Sequence, residues 1–246
     1  MEQIRAQMLR YLCTRFELLP EEANDLRRHY FQVYGTTMRG LQINHQIDPD
    51  EFLHFVHDIP LQEHLQPNAN LDAVLASLPQ EKVIFTNASR EHAERVLALL
   101  NIRHHFSRIV DIRDMAYESK PQPSAYQRIC RMLDIRPEEC LLVEDNIRNL
   151  QPAKAIGMTT VLVWDGSDVP ECDADYIIAR AEHIARVPGL AGPATPPTQP
   201  RPDAGPEHDP ASNIHTPNPS QNSRAAPVSE KRAMSPGAPS ALENEG

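Results

Sequence analysis

Apolar positions along this chain fall into two regimes. Through the first sixty residues they recur at helical spacing: Ile4, Met8, Leu9, Leu12 and Phe16 share one face, and Ala23, Leu26, Tyr30 and Val33 share another. Pro20-Glu21-Glu22 opens the second segment with a proline and an acidic first turn, and Asp48-Pro49-Asp50-Glu51 opens a third with Asp48 as N-cap. From Leu65 the period changes. Short apolar runs at 82–86, 109–110, 140–144, 159–163 and 176–178 predict strands, and helical patterns near 71–78, 90–100, 123–134 and 147–156 lie between them. Gly157 is placed just past the last helix, as a C′ residue should be. Strands alternating with helices predict β-α-β units and a parallel sheet, an α/β architecture. The expected organisation is a helical segment over 1–64, an α/β core over 65–188 and a tail over 189–246.

Composition sharpens that division. More than half of the 23 prolines fall beyond Pro188, with Ala, Ser, Thr, Asn and Gly and almost no aliphatic or aromatic residues. Such a segment cannot bury enough apolar surface to offset its ordering entropy, which predicts a disordered tail. Formal charge is −10, and the lysines and arginines are scattered rather than striped, which argues against nucleic acid or an anionic membrane as partner. The four cysteines (Cys13, Cys130, Cys140, Cys172) form no C-x-x-C pair and no zinc spacing, so a reducing, cytoplasmic compartment is expected. No basic-then-apolar leader opens the chain and no stretch approaches the ~20 apolar residues of a membrane span, which predicts a soluble protein. The composition carries no signal of oligomeric state.

Three short segments hold the candidate chemistry. Val83-Ile84-Phe85-Thr86-Asn87 and Leu141-Leu142-Val143-Glu144-Asp145 are apolar strands ending in polar groups, and Ser119-Lys120-Pro121 lies between them in the chain. In a doubly wound α/β domain, ligands sit beyond the carboxyl ends of the strands, so these side chains are delivered to one crevice. Phosphoryl transfer asks mainly for positioning and for charge neutralisation. Thr86, with the N–H groups of Asn87 and Ala88, could hold phosphate oxygens, although Thr-Asn-Ala-Ser would serve equally well as a helix cap. Lys120, extended before proline, offers a cation. Glu144 and Asp145 stand side by side, and a Mg²⁺ bound through them would relieve their repulsion; acidic capping of the helix through Asn149 and Leu150 is the plainer alternative. His54, His57 and His64 could share one helix face, but no second cluster completes a metal site, and solvated histidines are the commoner outcome.

Phe85-Thr86-Asn87, Lys120-Pro121 and Val143-Glu144-Asp145-Asn146-x-x-Asn149 with Ala153-Lys154-x-x-Gly157-Met158 resemble motifs II, III and IV of the haloacid dehalogenase superfamily. The segment Tyr34-Gly35-Thr36-Thr37-Met38-Arg39-Gly40-Leu41 is similar to the stretch between cap helices in its pyrimidine 5′-nucleotidase branch. The resemblance spans roughly residues 1 to 185. It implies a Rossmann-like parallel sheet with a small helical cap, and Mg²⁺-dependent hydrolysis of a phosphate monoester through an aspartyl-phosphate. The substrate it implies is a small phosphorylated molecule, specifically a nucleoside monophosphate. By the same resemblance Thr86 and Asn87 bind the phosphate, Lys120 orients the nucleophile, Asp145 ligates Mg²⁺, Glu144 acts on the metal's water shell, and Thr36 and Thr37 help recognise the substrate.

One departure is decisive. Family members begin with a strand ending in D-x-D-N that carries the nucleophile, whereas this chain starts at the cap helix that follows it. The chain as written is therefore expected to be inactive. That strand is central in the family, between the strands ending here at Thr86 and Asp145, so its loss predicts a gap of ~10 Å in the sheet and poor solubility. The favoured explanation is a nucleotidase-like phosphatase whose record lacks its true N-terminus. The alternatives are a catalytically silent protein that binds a phospho-ligand or partner, and a superfamily enzyme acting on another small ester or on a carbon–halogen bond.

Overall fold

In the computed structural model, which describes residues 2–166, 168 and 170–190, the N-terminal third is four helices. They are α1 (Glu2–Phe16), α2 (Pro20–Tyr34), α3 (Thr37–His45) and α4 (Pro49–His57). The local signals act as read: Pro20 opens α2 while Glu22 accepts the Leu19 N–H at 2.9 Å, and the Asp48 carboxylate accepts the Asp50 N–H at 2.9 Å ahead of α4. Helix α3 is an addition to the sequence reading. Thr36 caps it by accepting the Arg39 N–H at 3.2 Å, and Gly40 lets it approach α2 so closely that a Cβ there would lie 2.3 Å from Tyr30 Cγ. The helices close over a core of Tyr11, Leu12, Ala23, Tyr30, Leu41 and Phe52, joined by Ile112 from beyond the second strand.

The remainder alternates as expected: α5 (Ala69–Ser77), β1 (Val83–Phe85), α6 (Arg90–Leu99), β2 (Arg108–Val110), α7 (Pro123–Leu133), β3 (Leu141–Glu144), α8 (Ile147–Ala155), β4 (Thr159–Val163) and β5 (Tyr176–Ile178). Short 3-10 turns at 61–63, 103–105, 137–139 and 181–186 add to this order. Every strand pairing is parallel, with Ile84 opposite Ile109, Val143 opposite Val161 and Leu162 opposite Ile177. The strands form two sheets rather than one, β1-β2 and β3-β4-β5. The break falls between the strands that end at Thr86 and Asp145.

Burial follows from that break. Strand β4, paired on both sides, has Val161 and Leu162 fully enclosed, while β3, paired on one side among the described residues, leaves Val143 39% exposed. All four cysteines are free thiols. No helix among the described residues is long and apolar enough to cross a membrane. The tail expected over 189–246 lies, from residue 191 onward, outside the described residues.

Candidate active site

The side chain of Asn87, just beyond β1, grips the backbone of Lys120. Its Nδ2 donates to the Lys120 carbonyl at 2.9 Å, and the Lys120 N–H donates back to Oδ1 at 2.8 Å. This two-way bond holds a loop residue in one place, and Ser119 beside it is completely buried. From there the lysine reaches across the break: Nζ donates to the Phe85 carbonyl at 2.9 Å and to Glu144 Oε2 at 2.6 Å. It also lies 4.9 Å above the Phe85 ring, a cation–π contact. Phe85 precedes Thr86 and Glu144 precedes Asp145. The structure thus brings Lys120 together with the carboxyl ends of β1 and β3, where the sequence reading put the crevice.

The two carboxylates are driven apart. Burial works against charge on Glu144, but the Lys120 ammonium and the hydrogen bonds it receives hold its carboxyl below the usual glutamate range. Asp145, whose residue remains exposed at the strand's end, is pushed the other way by its low-dielectric surroundings and by the bond and charge of Glu144. Among the described residues Asp145 forms no salt bridge. One acid of the pair therefore has its cation, and its neighbour lacks one.

Thr86 continues the β ladder by donating its N–H to Val110 O at 3.0 Å, and its hydroxyl oxygen accepts the Ala88 N–H at 3.0 Å. The helix cap belongs to Ser89 instead, whose hydroxyl accepts the His92 N–H at 3.4 Å. Thr36 meets the residue before Lys120, with Oγ1 3.4 Å from Ser119 Oγ. Thr37 does not join it: this residue is buried, and its hydroxyl donates to the Arg27 carbonyl at 3.5 Å in the contact between α2 and α3. Asn87, expected to touch the phosphate, has both ends of its amide committed to Lys120.

Two residues that the sequence reading passed over shape the surroundings. Asp111 directly follows β2, but its oxygens are spent on the Arg90 N–H at 2.9 Å and the Asp114 N–H at 3.1 Å, so it anchors the first N–H of α6, the helix Ser89 caps, and closes a turn. Arg148 at the start of α8 donates to the carbonyls of Phe31 and Gln32 at 2.9 and 3.1 Å, tying the helix after Asp145 to the end of α2. Its place in the first turn, two residues after Asn146, was the available signal. The three histidines considered for a metal are separated: His54 is exposed, His57 is buried against His92, and His64 meets Gln3.

The sequence model of the haloacid dehalogenase-like hydrolase family matches residues 6–157. Phosphate metabolism protein 8 of Saccharomyces cerevisiae is 28% identical over an alignment of 157 residues that covers 58% of this chain and 49% of that protein. Beta-phosphoglucomutase of Bacillus subtilis is 30% identical over 112 residues, 45% and 48% of the two chains. Phosphoglycolate phosphatase of Chromobacterium violaceum is 31% identical over 106 residues, 43% and 47%. This chain thus matches about half the length of each of these relatives. Among solved structures, a HAD phosphatase from Thermococcus onnurineus superposes with a TM-score of 0.52 at 18% identity, over 77% of this chain and 92% of that one, a likeness of fold.

Proposed function

We propose, from the premise that this chain belongs to the haloacid dehalogenase-like hydrolase family, that it carries the phosphate, lysine and metal positions of a Mg²⁺-dependent phosphate-monoester hydrolase. The observation that carries the reading is the reach of Lys120 Nζ to both Phe85 O and Glu144 Oε2. A buried cation spanning two strand ends screens an incoming phosphate from the carboxylate beside it. Thr86, whose oxygen accepts the Ala88 N–H, keeps its own O–H to donate to a phosphate oxygen.

The donor set fits Mg²⁺. Asp145 is exposed and, among the described residues, unpaired by any cation, next to a carboxylate already answered by Lys120, and oxygen-only donors of this kind suit a hard divalent ion. Asp145 would hold the ion directly and Glu144 through its water shell. When bound, the ion neutralises charge on the equatorial phosphoryl oxygens.

In this reading the attacking aspartate arrives on a further parallel strand seated between β1 and β3. Both strands have a partner on one side only among the described residues, and the exposure of Val143 on β3 is the surface such a strand would cover. The cap domain, in this reading residues 1–64, places Thr36 near the loop of Lys120 and so near the leaving group, whereas Thr37 stays a packing residue. The substrate is a small phosphorylated molecule, in keeping with relatives named as a phosphoglucomutase and a phosphoglycolate phosphatase. The specific reading is a pyrimidine nucleoside monophosphate, and it rests on the Thr36-Thr37-Met38-Arg39-Gly40-Leu41 segment.

The test compares the 246-residue chain with a version extended through the upstream reading frame, assayed for phosphate release from pyrimidine monophosphates, phosphoglycolate and sugar phosphates. Turnover only in the extended protein, lost in EDTA and in Asp145→Ala, is expected. Equal turnover in EDTA overturns the metal assignment. A stronger response to another ester overturns the nucleotide assignment, and saturable phosphate binding without turnover decides for a silent binding protein.

A further inference from the structure

A second cluster of metal-ligating groups lies away from the crevice. Asp72 stands in the first turn of α5, and His104 and His105 occupy the 3-10 turn that leads into β2. His105 Nε2 lies 2.7 Å and His104 Nε2 3.2 Å from the same oxygen, Asp72 Oδ1. Consecutive residues of a 3-10 turn point about 120° apart. For both imidazoles to aim at one carboxylate their rings must fold together, and their centroids are 4.0 Å apart.

Position separates this cluster from the crevice. Residues 103–105 precede β2, which runs parallel to β1, and the Ser107 N–H donates to Lys82 O at 3.0 Å just before β1 begins. The cluster therefore sits at the amino ends of these strands, opposite the end where Thr86 emerges. The Asn68 N–H, donating to Leu100 O at 3.2 Å, fixes the start of α5 against the end of α6. Arg103, the nearest cation in sequence, is turned to Glu94 at 2.7 Å and to Phe106 O at 2.7 Å, so it does not compete for Asp72.

We propose that Asp72, His104 and His105 form a divalent transition-metal site, suited to Zn²⁺ and its neighbours rather than Mg²⁺, that pins α5 to the turn before β2. Two imidazole nitrogens and one carboxylate oxygen are the donors such ions take, whereas Mg²⁺ demands oxygen ligands. Tetrahedral bonds of about 2.0–2.2 Å separate ligand atoms by about 3.3–3.6 Å. The donor atoms here all lie within 4.8 Å of one another, so an ion needs only side-chain adjustment. His105, 10% exposed, gives a fixed ligand, and His104, 60% exposed, leaves a path for entry and a position for water or a fourth ligand.

The experiment is Zn²⁺ titration of the whole chain by calorimetry in excess Mg²⁺, with Co²⁺ absorption to report ligand geometry. One equivalent is expected, with a rise in melting temperature. His104→Ala, at an exposed position, and Asp72→Asn are expected to weaken binding by more than the roughly 10–100-fold that loss of a supporting partner costs. His54→Ala serves as the control and should bind as the parent does. Absence of saturable Zn²⁺ uptake overturns the site, and so does uptake that is unchanged in both His104→Ala and Asp72→Asn.

Discussion

Lys120 Nζ meets Glu144 Oε2 at 2.6 Å, and each of the two side chains is only 9% exposed. Removing one member of such a pair leaves an unanswered charge in a dry site. Lys120→Met is therefore expected to lower unfolding free energy by about 3–5 kcal/mol, read from urea melts near neutral pH. Adding Glu144→Leu should recover part of that loss. The Glu144 carboxyl is held low in the folded protein, so its contribution is present above the ordinary glutamate value of about 4.3 and disappears as pH falls through the lower folded value. A Lys120→Met protein as stable as its parent would show that the pair contributes nothing.

Asn87 holds the Lys120 backbone through both ends of its amide, at 2.9 and 2.8 Å. Under the phosphatase reading proposed above, Asn87→Ala in whichever version shows turnover is expected to lower kcat by up to about a hundredfold, the cost of a displacement near 1 Å, while KM changes little. A matching rise in KM with kcat preserved would make Asn87 a substrate ligand instead.

Asn87 also illustrates what the sequence could and could not convey. Strand ends at Thr86 and Asp145 were legible because apolar runs that stop on polar groups are a local signal; β1 and β3 lie in separate sheets, and it is Lys120 that joins the residues before those ends. The partner of Asn87, thirty-three residues away, leaves no mark at Asn87 itself, so it read as a phosphate ligand rather than a clamp. Thr36 and Thr37 were indistinguishable in sequence; which of them faces the loop depends on where α3 begins. That helix was itself hidden, since threonines and a glycine favour it weakly and close packing on Tyr30 forms it. The order of strands was readable, but the division into two sheets is a matter of pairing, which periodicity does not encode.

Gly40 is required by that packing. Its Cβ position lies 2.3 to 2.6 Å from three atoms of Tyr30, whose hydroxyl is in turn 2.6 Å from His45 Nε2. Gly40→Ala should gain helix propensity yet lose stability by about 1–3 kcal/mol through overpacking. Thermal melts check the sign, and a stabilised Gly40→Ala would mean that α2 and α3 separate at little cost.

His57 on α4 and His92 on α6 stack with ring centroids 4.1 Å apart and planes 20° from parallel. Burial, the neighbouring ring's charge and Arg95 together push His57 down to about 3, and burial with Arg95 lowers His92 as well. Arg113 adds to the effect on His57 and Glu91 opposes it, but neither reverses the direction. His57 is thus neutral in the folded protein where the unfolded chain, titrating near 6.5, already takes up protons, and the lowered His92 acts in the same direction. Stability must then fall with acidification from about pH 6.5 downward, at up to about 1.4 kcal/mol per pH unit from His57, with His92 adding in the same sense. The interval down to about pH 4.5 precedes ordinary carboxylate titration, and the raised Asp145 cancels when two proteins that both contain it are compared. In His57→Leu, urea unfolding across that interval is expected to show a shallower pH slope than in the parent chain. A parent slope of zero, or an imidazole titrating by NMR at its ordinary value, would show that the pair opens to water and that the contact between α4 and α6 is looser than the geometry indicates.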